Sequence, residues 1–106
     1  MIKCFEPDIT KEDIESVSST IESKVLAFGP NVTKFEDLYA SHSKKKNNIG
    51  FNSASSAAYL MFQYLFENYG PCRVYTPSIG FVSPVFAAIK NRHEICFVDV
   101  DENLTM

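Results

Sequence analysis

The sequence predicts an α/β fold in three layers around a mostly parallel sheet, on three observations. Its 106 residues are 45% apolar and 13% aromatic, which is enough for the core of about one small domain. Strand-type and helix-type segments alternate over residues 47–101 with short connections, as in a βαβαβ unit. The last strand-type segment, Glu94–Val100, is almost continuously apolar, as expected of a strand covered on both faces. We therefore expect a single domain over 1–106, with helices in 10–45 and the βαβαβ unit after them.

Two helices are predicted at the start of the chain. Thr10 is a suitable N-cap, with Asp13 at the third helical position, for a helix over Lys11–Ala27. Its apolar residues recur at helical spacing: Ile14, Val17, Ile21 and Val25. Gly29 and Pro30 end this helix, and a second one is expected over Val32–Ser43.

The remaining elements follow in alternation: a strand over Asn48–Asn52, a helix over Ala54–Asn68, a strand over Cys72–Thr76, a helix over Phe81–Asn91 and the strand Glu94–Val100. Pro84 is acceptable in the first turn of its helix. The helix 54–68 is apolar almost all the way round, so we expect it to be buried on most sides or to lie in an interface.

The turn between the first strand and the helix 54–68 is a candidate anion site. The first N–H groups of a helix have no partner within it, and the helix dipole adds partial positive charge there. Ala54, Ser55 and Ser56 would present amides and hydroxyls at this point. Serine also caps helices that bind nothing, so the turn alone leaves both interpretations open. Ligands of parallel sheets collect at the carboxyl ends of strands, which adds Pro77–Phe81 and Asp99–Asp101 as candidate segments.

Charge and cysteine content narrow the function classes. The net charge is −3, which gives no broad basic surface for nucleic acid, and Lys44–Lys46 is too short a run to supply one and fits a solvated loop better. No segment approaches the roughly 20 apolar residues of a membrane span, and the first residues lack a secretory apolar core. Cys4, Cys72 and Cys96 are odd in number and widely spaced, which disfavours disulfides and a zinc site. We expect a soluble cytoplasmic protein that binds no metal, membrane or nucleic acid.

Four blocks resemble, in order and spacing, the N-terminal part of the DegT/DnrJ/EryC1/StrS aminotransferases: Phe28–Glu36, Asn52–Ala57, Tyr75–Phe81 and Cys96–Asp101. Members of that family are fold-type I enzymes that use pyridoxal 5'-phosphate, mostly to aminate nucleotide-linked keto-sugars. The resemblance implies that these residues are the N-terminal portion of the large domain of such an enzyme, hence a partial domain.

The resemblance also implies which residues bind the cofactor. The family turn that holds the phosphate usually reads Ser-Gly-Thr, and here Ala54 and Ser55 replace its second and third residues. Serine keeps the hydroxyl, whereas the methyl group of alanine can tighten or shift the phosphate cup. Phe81 takes the place of the aromatic residue that stacks on the pyridine ring. The threonine that usually precedes it is Gly80, which removes one polar group.

Two functional groups of the family have no counterpart in this sequence. The lysine that forms the Schiff base and the aspartate that pairs with the pyridinium nitrogen lie further along the family sequence than residue 106. Asp99 and Asp101 align with a different segment and are more typical turn formers. Lys90 has no motif support either. We therefore assign no catalytic residue and expect the isolated chain to be inactive, with homo-oligomerisation or association with a C-terminal part to complete it.

Two other functions are compatible with the sequence. A degenerate, non-enzymatic α/β binding or interaction module would explain Ala54 and Gly80 as marks of a relaxed site. A doubly wound nucleotide-binding domain is disfavoured, because the sequence contains neither GxGxxG nor GxxxxGK[ST].

Overall fold

The computed structural model describes residues 5–103 and 105, which contain four helices and two strands. In chain order these are α1 (Lys11–Glu22), α2 (Pro30–Ser43), α3 (Ala54–Tyr69), β1 (Arg73–Pro77), α4 (Val82–Lys90) and β2 (Glu94–Val98). The chain divides into two compact units, Met1–Gly50 and Phe51–Met106. Within the described residues, no helix is long and apolar enough to cross a bilayer.

The first unit contains α1 and α2. The predicted capping box is present, with the Thr10 amide donating to Asp13 Oδ2 at 2.8 Å and the Asp13 amide donating to Thr10 Oγ1 at 3.3 Å. The prediction that this helix reaches Ala27 is wrong. Ser23 is the C-cap and Lys24 takes a left-handed φ of 60°, so the helical ladder ends at Glu22.

The predicted strand Asn48–Asn52 does not form. A strand requires a neighbour to exchange backbone hydrogen bonds, and no described residue pairs with this segment. The amide of Gly50 instead donates to the carboxylate of Glu36, at 2.7 Å. The expected βαβαβ unit is therefore reduced, in the described residues, to α3 followed by a single βαβ unit.

The second unit is built on that βαβ unit. β1 and β2 pair in parallel, with Arg73 opposite Glu94 and Pro77 opposite Val98, and α4 makes the crossover between them. This two-stranded sheet confirms a small α/β fold with parallel strands. The three-layer arrangement and the partial large domain stay predictions.

The core of the second unit is small. Phe62 from α3 and Ala87 and Ala88 from α4 are its buried apolar residues; Ala58, Leu65, Val74 and Ile95 pack around them. Phe62 is the buried residue of α3, whereas Leu60, Met61 and Tyr64 are about half exposed. Of the two alternatives expected for α3, burial on most sides is not met within the described chain, since only the face with Phe62, Ala58 and Leu65 packs in the core; a position in an interface stays a prediction.

His93 ties three elements of this unit together. Its ring is 6% exposed and packs near the rings of Phe62 and Phe66, with centroids at 5.4 Å and 6.1 Å. Nδ1 accepts the backbone N–H of Cys72 at 3.0 Å, and Nε2 lies 2.8 Å from the carbonyl oxygen of Phe62. Because Cys72 N–H can only donate, Nδ1 is the bare nitrogen and the neutral ring carries its proton on Nε2. The histidine thereby connects α3 to the residues that directly precede β1 and β2.

Candidate functional site

The first turns of α3 and α4 meet in the second unit. Ser55 is the second residue of α3 and Ser83 is the second residue of α4. The hydroxyl of Ser55 donates to the hydroxyl oxygen of Ser83 at 2.8 Å. This bond joins two positions 28 residues apart in sequence and places the two helix N-termini side by side.

The start of α3 combines a cap with open donors. The Ser53 side chain is the N-cap and accepts the amide of Ser56 at 3.1 Å, while the Ser53 carbonyl accepts the amide of Ala57 at 3.2 Å. The capping interpretation is therefore confirmed for Ser53. The amides of Ala54 and Ser55 precede the first intrahelical bond and find no acceptor among the described residues. Both are available to an external anion.

The start of α4 is open as well. Its N-cap residue, Phe81, supplies no side-chain hydrogen bond to the helix. Pro84 is the third helical residue, as predicted for the first turn, and has no N–H. The free amides of this turn are therefore those of Val82 and Ser83.

The electrostatics of both helix starts favour a negative ligand. Each N-terminus carries about half a positive elementary charge from the aligned peptide dipoles. Neither first turn contains an acidic residue that would neutralise this potential. The four open amides and the O–H that the Ser55–Ser83 pair leaves free thus lie at helix starts without a carboxylate of their own, and such donors suit a phosphate monoester.

A cleft of about 250 Å³ runs from this point between the two helices. Its lining is mostly apolar and comprises Ser55, Tyr59, Val82, Ser83, Phe86, Ala87 and Lys90. Lys90 belongs to the last turn of α4 and is exposed. Phe81 is not among the described residues that line the cleft, but the next residue, Val82, is.

The structure brings the predicted cofactor residues into one unit. Ala54 and Ser55 begin α3, and Phe81 lies two residues before Ser83, the hydrogen-bond partner of Ser55. The Phe81 side chain is 80% exposed, so a flat ligand can reach its ring. The roles of these three residues stay predictions.

Sequence reasoning missed Ser83. The family pattern indicates Phe81 in the preceding turn, although a serine at the second position of a helix that follows a strand end is itself a candidate anion ligand. No local pattern shows that Ser83 meets Ser55, because that pairing depends on how α3 and α4 pack.

Asp101 is engaged in a local turn, as its sequence context suggested. Its carboxylate accepts the amides of Asn103 and Thr105, each at 2.9 Å, and the Thr105 hydroxyl at 2.9 Å. The hydrogen bonds from Thr105 lower the pKa of Asp101. Cys72 and Cys96 are free thiols, and Cys4 lies outside the described residues. Residues Lys44–Lys46 form an exposed connection after α2.

Comparison with known proteins identifies the family. Residues 7–106 match the DegT/DnrJ/EryC1/StrS aminotransferase family. The chain belongs to this family. The match covers both units and includes both helix starts that form the candidate site.

Relatives in the family include proteins of sugar metabolism. The chain is 34% identical over 98 residues to the spore coat polysaccharide biosynthesis protein SpsC of Bacillus subtilis, a match that covers 92% of this chain and 25% of the relative. It is 32% identical over 99 residues to the UDP-4-amino-4,6-dideoxy-N-acetyl-beta-L-altrosamine transaminase of Helicobacter pylori, with 81% of this chain and 26% of the relative covered. The chain thus spans about a quarter of the length of these relatives. No solved structure gives a significant match.

Proposed function

We propose that this chain is the N-terminal part of a pyridoxal-phosphate-dependent aminotransferase that acts on nucleotide-linked keto-sugars. Membership of the family supports the cofactor and the reaction class. The relatives named for polysaccharide biosynthesis and for a UDP-amino-sugar support the substrate class. Its odd number of widely spaced cysteines supports a cytoplasmic location.

The contribution proposed for this chain is to hold the cofactor. The amides of Ala54 and Ser55 bind the phosphate at the start of α3, and the hydroxyl of Ser55 supports the site through the hydrogen bond that it donates to Ser83. The exposed ring of Phe81 covers one face of the pyridine ring. The single observation that supports this assignment most strongly is the junction of the α3 and α4 starts through Ser55 and Ser83.

The residues present fit a phosphate in charge and in donor type. The Ala54 methyl is on the first residue of α3 and is exposed, so it does not fill a packed space within the chain. The cofactor, when bound, supplies the electron sink for amino transfer. This chain would bind and orient it, while the lysine and aspartate that the chemistry requires would come from the remainder of a full-length family member. The isolated chain is accordingly proposed to be inactive.

A partner surface is part of the same proposal. Large apolar side chains on α1 are 58–60% exposed, namely Ile14, Val17 and Ile21, and α3 exposes Leu60, Met61 and Tyr64. Such surfaces are typical of chains that are covered by further polypeptide or by a second copy. We propose association with the rest of the enzyme, or with another subunit, over these surfaces.

The test uses a cofactor form without an aldehyde, so that surface lysines do not react with it. Affinities of the chain for pyridoxamine 5'-phosphate and for pyridoxamine are measured by isothermal titration calorimetry. Hydrogen bonds to a charged group contribute about 1.5–3 kcal/mol each, so we expect the phosphate to tighten binding at least about tenfold. Ser55→Ala should lower the affinity for pyridoxamine 5'-phosphate about tenfold and leave the affinity for pyridoxamine unchanged.

Ser41→Ala is the matched control, because the Ser41 hydroxyl donates to a carbonyl of its own helix, α2. Equal affinity for the two ligands in the unsubstituted chain would refute the phosphate cup. It would favour the non-enzymatic module, for which Ala54 and Gly80 mark a relaxed site.

A further inference from the structure

The side chain of Ser83 has no assigned role, yet it is the hydrogen-bond acceptor of Ser55. We propose that the Ser83 hydroxyl donates a hydrogen bond to the cofactor phosphate, so that the starts of both α3 and α4 form the cup. This inference rests on the function proposed above. It adds one binding residue to that site, on a different helix.

The direction of the hydrogen bond between Ser55 and Ser83 leaves the proton of the Ser83 hydroxyl free. The proton of Ser55 Oγ is donated to Ser83 Oγ, 2.8 Å away. Ser83 Oγ–H remains free to donate, since within the described part of the chain this hydroxyl makes no other hydrogen bond. A hydroxyl that accepts one hydrogen bond is polarised and becomes a stronger donor. The pair therefore presents one strengthened O–H donor, and it belongs to Ser83.

The first turn of α4 has few other hydrogen-bond donors beside the Ser83 hydroxyl. Pro84 removes the amide that would be the third donor of this turn, and the N-cap Phe81 gives no side-chain cap. The Ser83 hydroxyl stands in the same turn as its own free amide and that of Val82. An oxygen of a phosphate held at Ser55 is thus within the field of two helix dipoles instead of one.

The position of Ser83 in the cleft also favours a role in anion binding. Ser83 is partly buried, whereas Ser55 is exposed, and both line the same cleft. Neither first turn has an acidic residue, so no carboxylate competes for the proton of Ser83. The hydroxyl is held in place by packing and by Ser55, which limits the entropy lost when it binds an anion.

The experiment compares Ser83→Ala and Ser83→Thr with the unsubstituted chain. Inorganic phosphate and pyridoxamine 5'-phosphate are the phosphate probes, and pyridoxamine is the probe without phosphate. Ser83→Ala should weaken the binding of both phosphate probes about tenfold and leave the binding of pyridoxamine unchanged. Ser83→Thr keeps the hydroxyl and should restore the affinity.

A double variant measures whether the two hydroxyls act together. Because Ser55 acts on the phosphate partly through Ser83, the Ser55→Ala/Ser83→Ala chain should lose less affinity than the product of the two single losses. Phosphate binding by Ser83→Ala equal to that of the unsubstituted chain, while Ser55→Ala still weakens it, overturns the role of Ser83 and leaves the proposed function standing. An unsubstituted chain with no preference for the phosphorylated ligand overturns both.

Discussion

The two substitutions His93→Asn and His93→Gln should destabilise the second unit to different extents. The side-chain oxygen of asparagine lies where Nδ1 lies, so it can still accept the amide of Cys72. Glutamine places its polar group where Nε2 lies and can still reach the carbonyl of Phe62. Each variant therefore keeps one of the two hydrogen bonds of His93, and both lose the ring contacts with Phe62 and Phe66.

The two lost bonds differ in cost. The Phe62 carbonyl lies inside α3 and keeps its intrahelical donor when His93 Nε2 is removed, so its loss costs about 1 kcal/mol. The partly buried Cys72 amide has no second acceptor in the described chain, and leaving it unpaired costs about 1–3 kcal/mol. We expect His93→Gln to be less stable than His93→Asn by about 1 kcal/mol, the middle of the difference between these two costs.

Urea unfolding monitored by circular dichroism measures this difference. With a denaturant slope of about 1 kcal/mol/M for a small protein, the midpoints of the two variants should differ by about 1 M. His42→Asn and His42→Gln are the matched controls, because His42 is exposed on α2, and both should lie within about 0.5 kcal/mol of the unsubstituted chain. Equal midpoints for the two His93 variants, or a more stable glutamine variant, would refute this account of the Cys72 amide.

Two further predictions concern backbone conformation and pH. Gly70 has φ 75° and ψ −166°, a backbone region essentially restricted to glycine. Gly70→Ala should therefore lower the free energy of unfolding in urea by about 1–3 kcal/mol, although an added Cβ meets no atom within 4 Å. Gly80→Ala is the control and should leave the free energy of unfolding unchanged, because φ of Gly80 is not positive and the nearest atom to an added Cβ is at 4.0 Å. Hydrogen bonds from Thr10 lower the pKa of Asp13, so the capping box should stabilise α1 above the ordinary pKa of an aspartate and lose that contribution as the pH falls through the lowered value. The amide resonance of Thr10, followed by NMR during acidification, should report this loss, and Asp13→Asn should abolish the transition; an unchanged transition would contradict the assignment.

Local signals predicted most of the elements correctly. The capping box at Thr10 and Asp13 located the start of α1, and Gly70 and Pro71 marked the end of α3, because caps and breakers act over a few residues. The apolar run of β2 was also recognisable from the sequence. These features depend on neighbours in the chain and not on packing.

The features that were missed depend on distant parts of the chain. Asn48–Asn52 has the composition of a strand but lacks a partner among the described residues, and the Gly50 amide is bound by Glu36 instead. The meeting of Ser55 and Ser83 likewise follows from the packing of α3 on α4. Of the candidate site, the α3 turn was predicted from the chemistry of a helix N-terminus, its cofactor role and Phe81 from the family resemblance, and the part of Ser83 follows from the structure alone.

The most direct test of the central claim is an ¹H–¹⁵N NMR titration of the chain with inorganic phosphate. The account predicts that the largest shifts fall on the amides of Ala54, Ser55, Val82 and Ser83, which the structure leaves open at the starts of α3 and α4. Shifts concentrated at Lys44–Lys46, with these four amides unmoved, would contradict it.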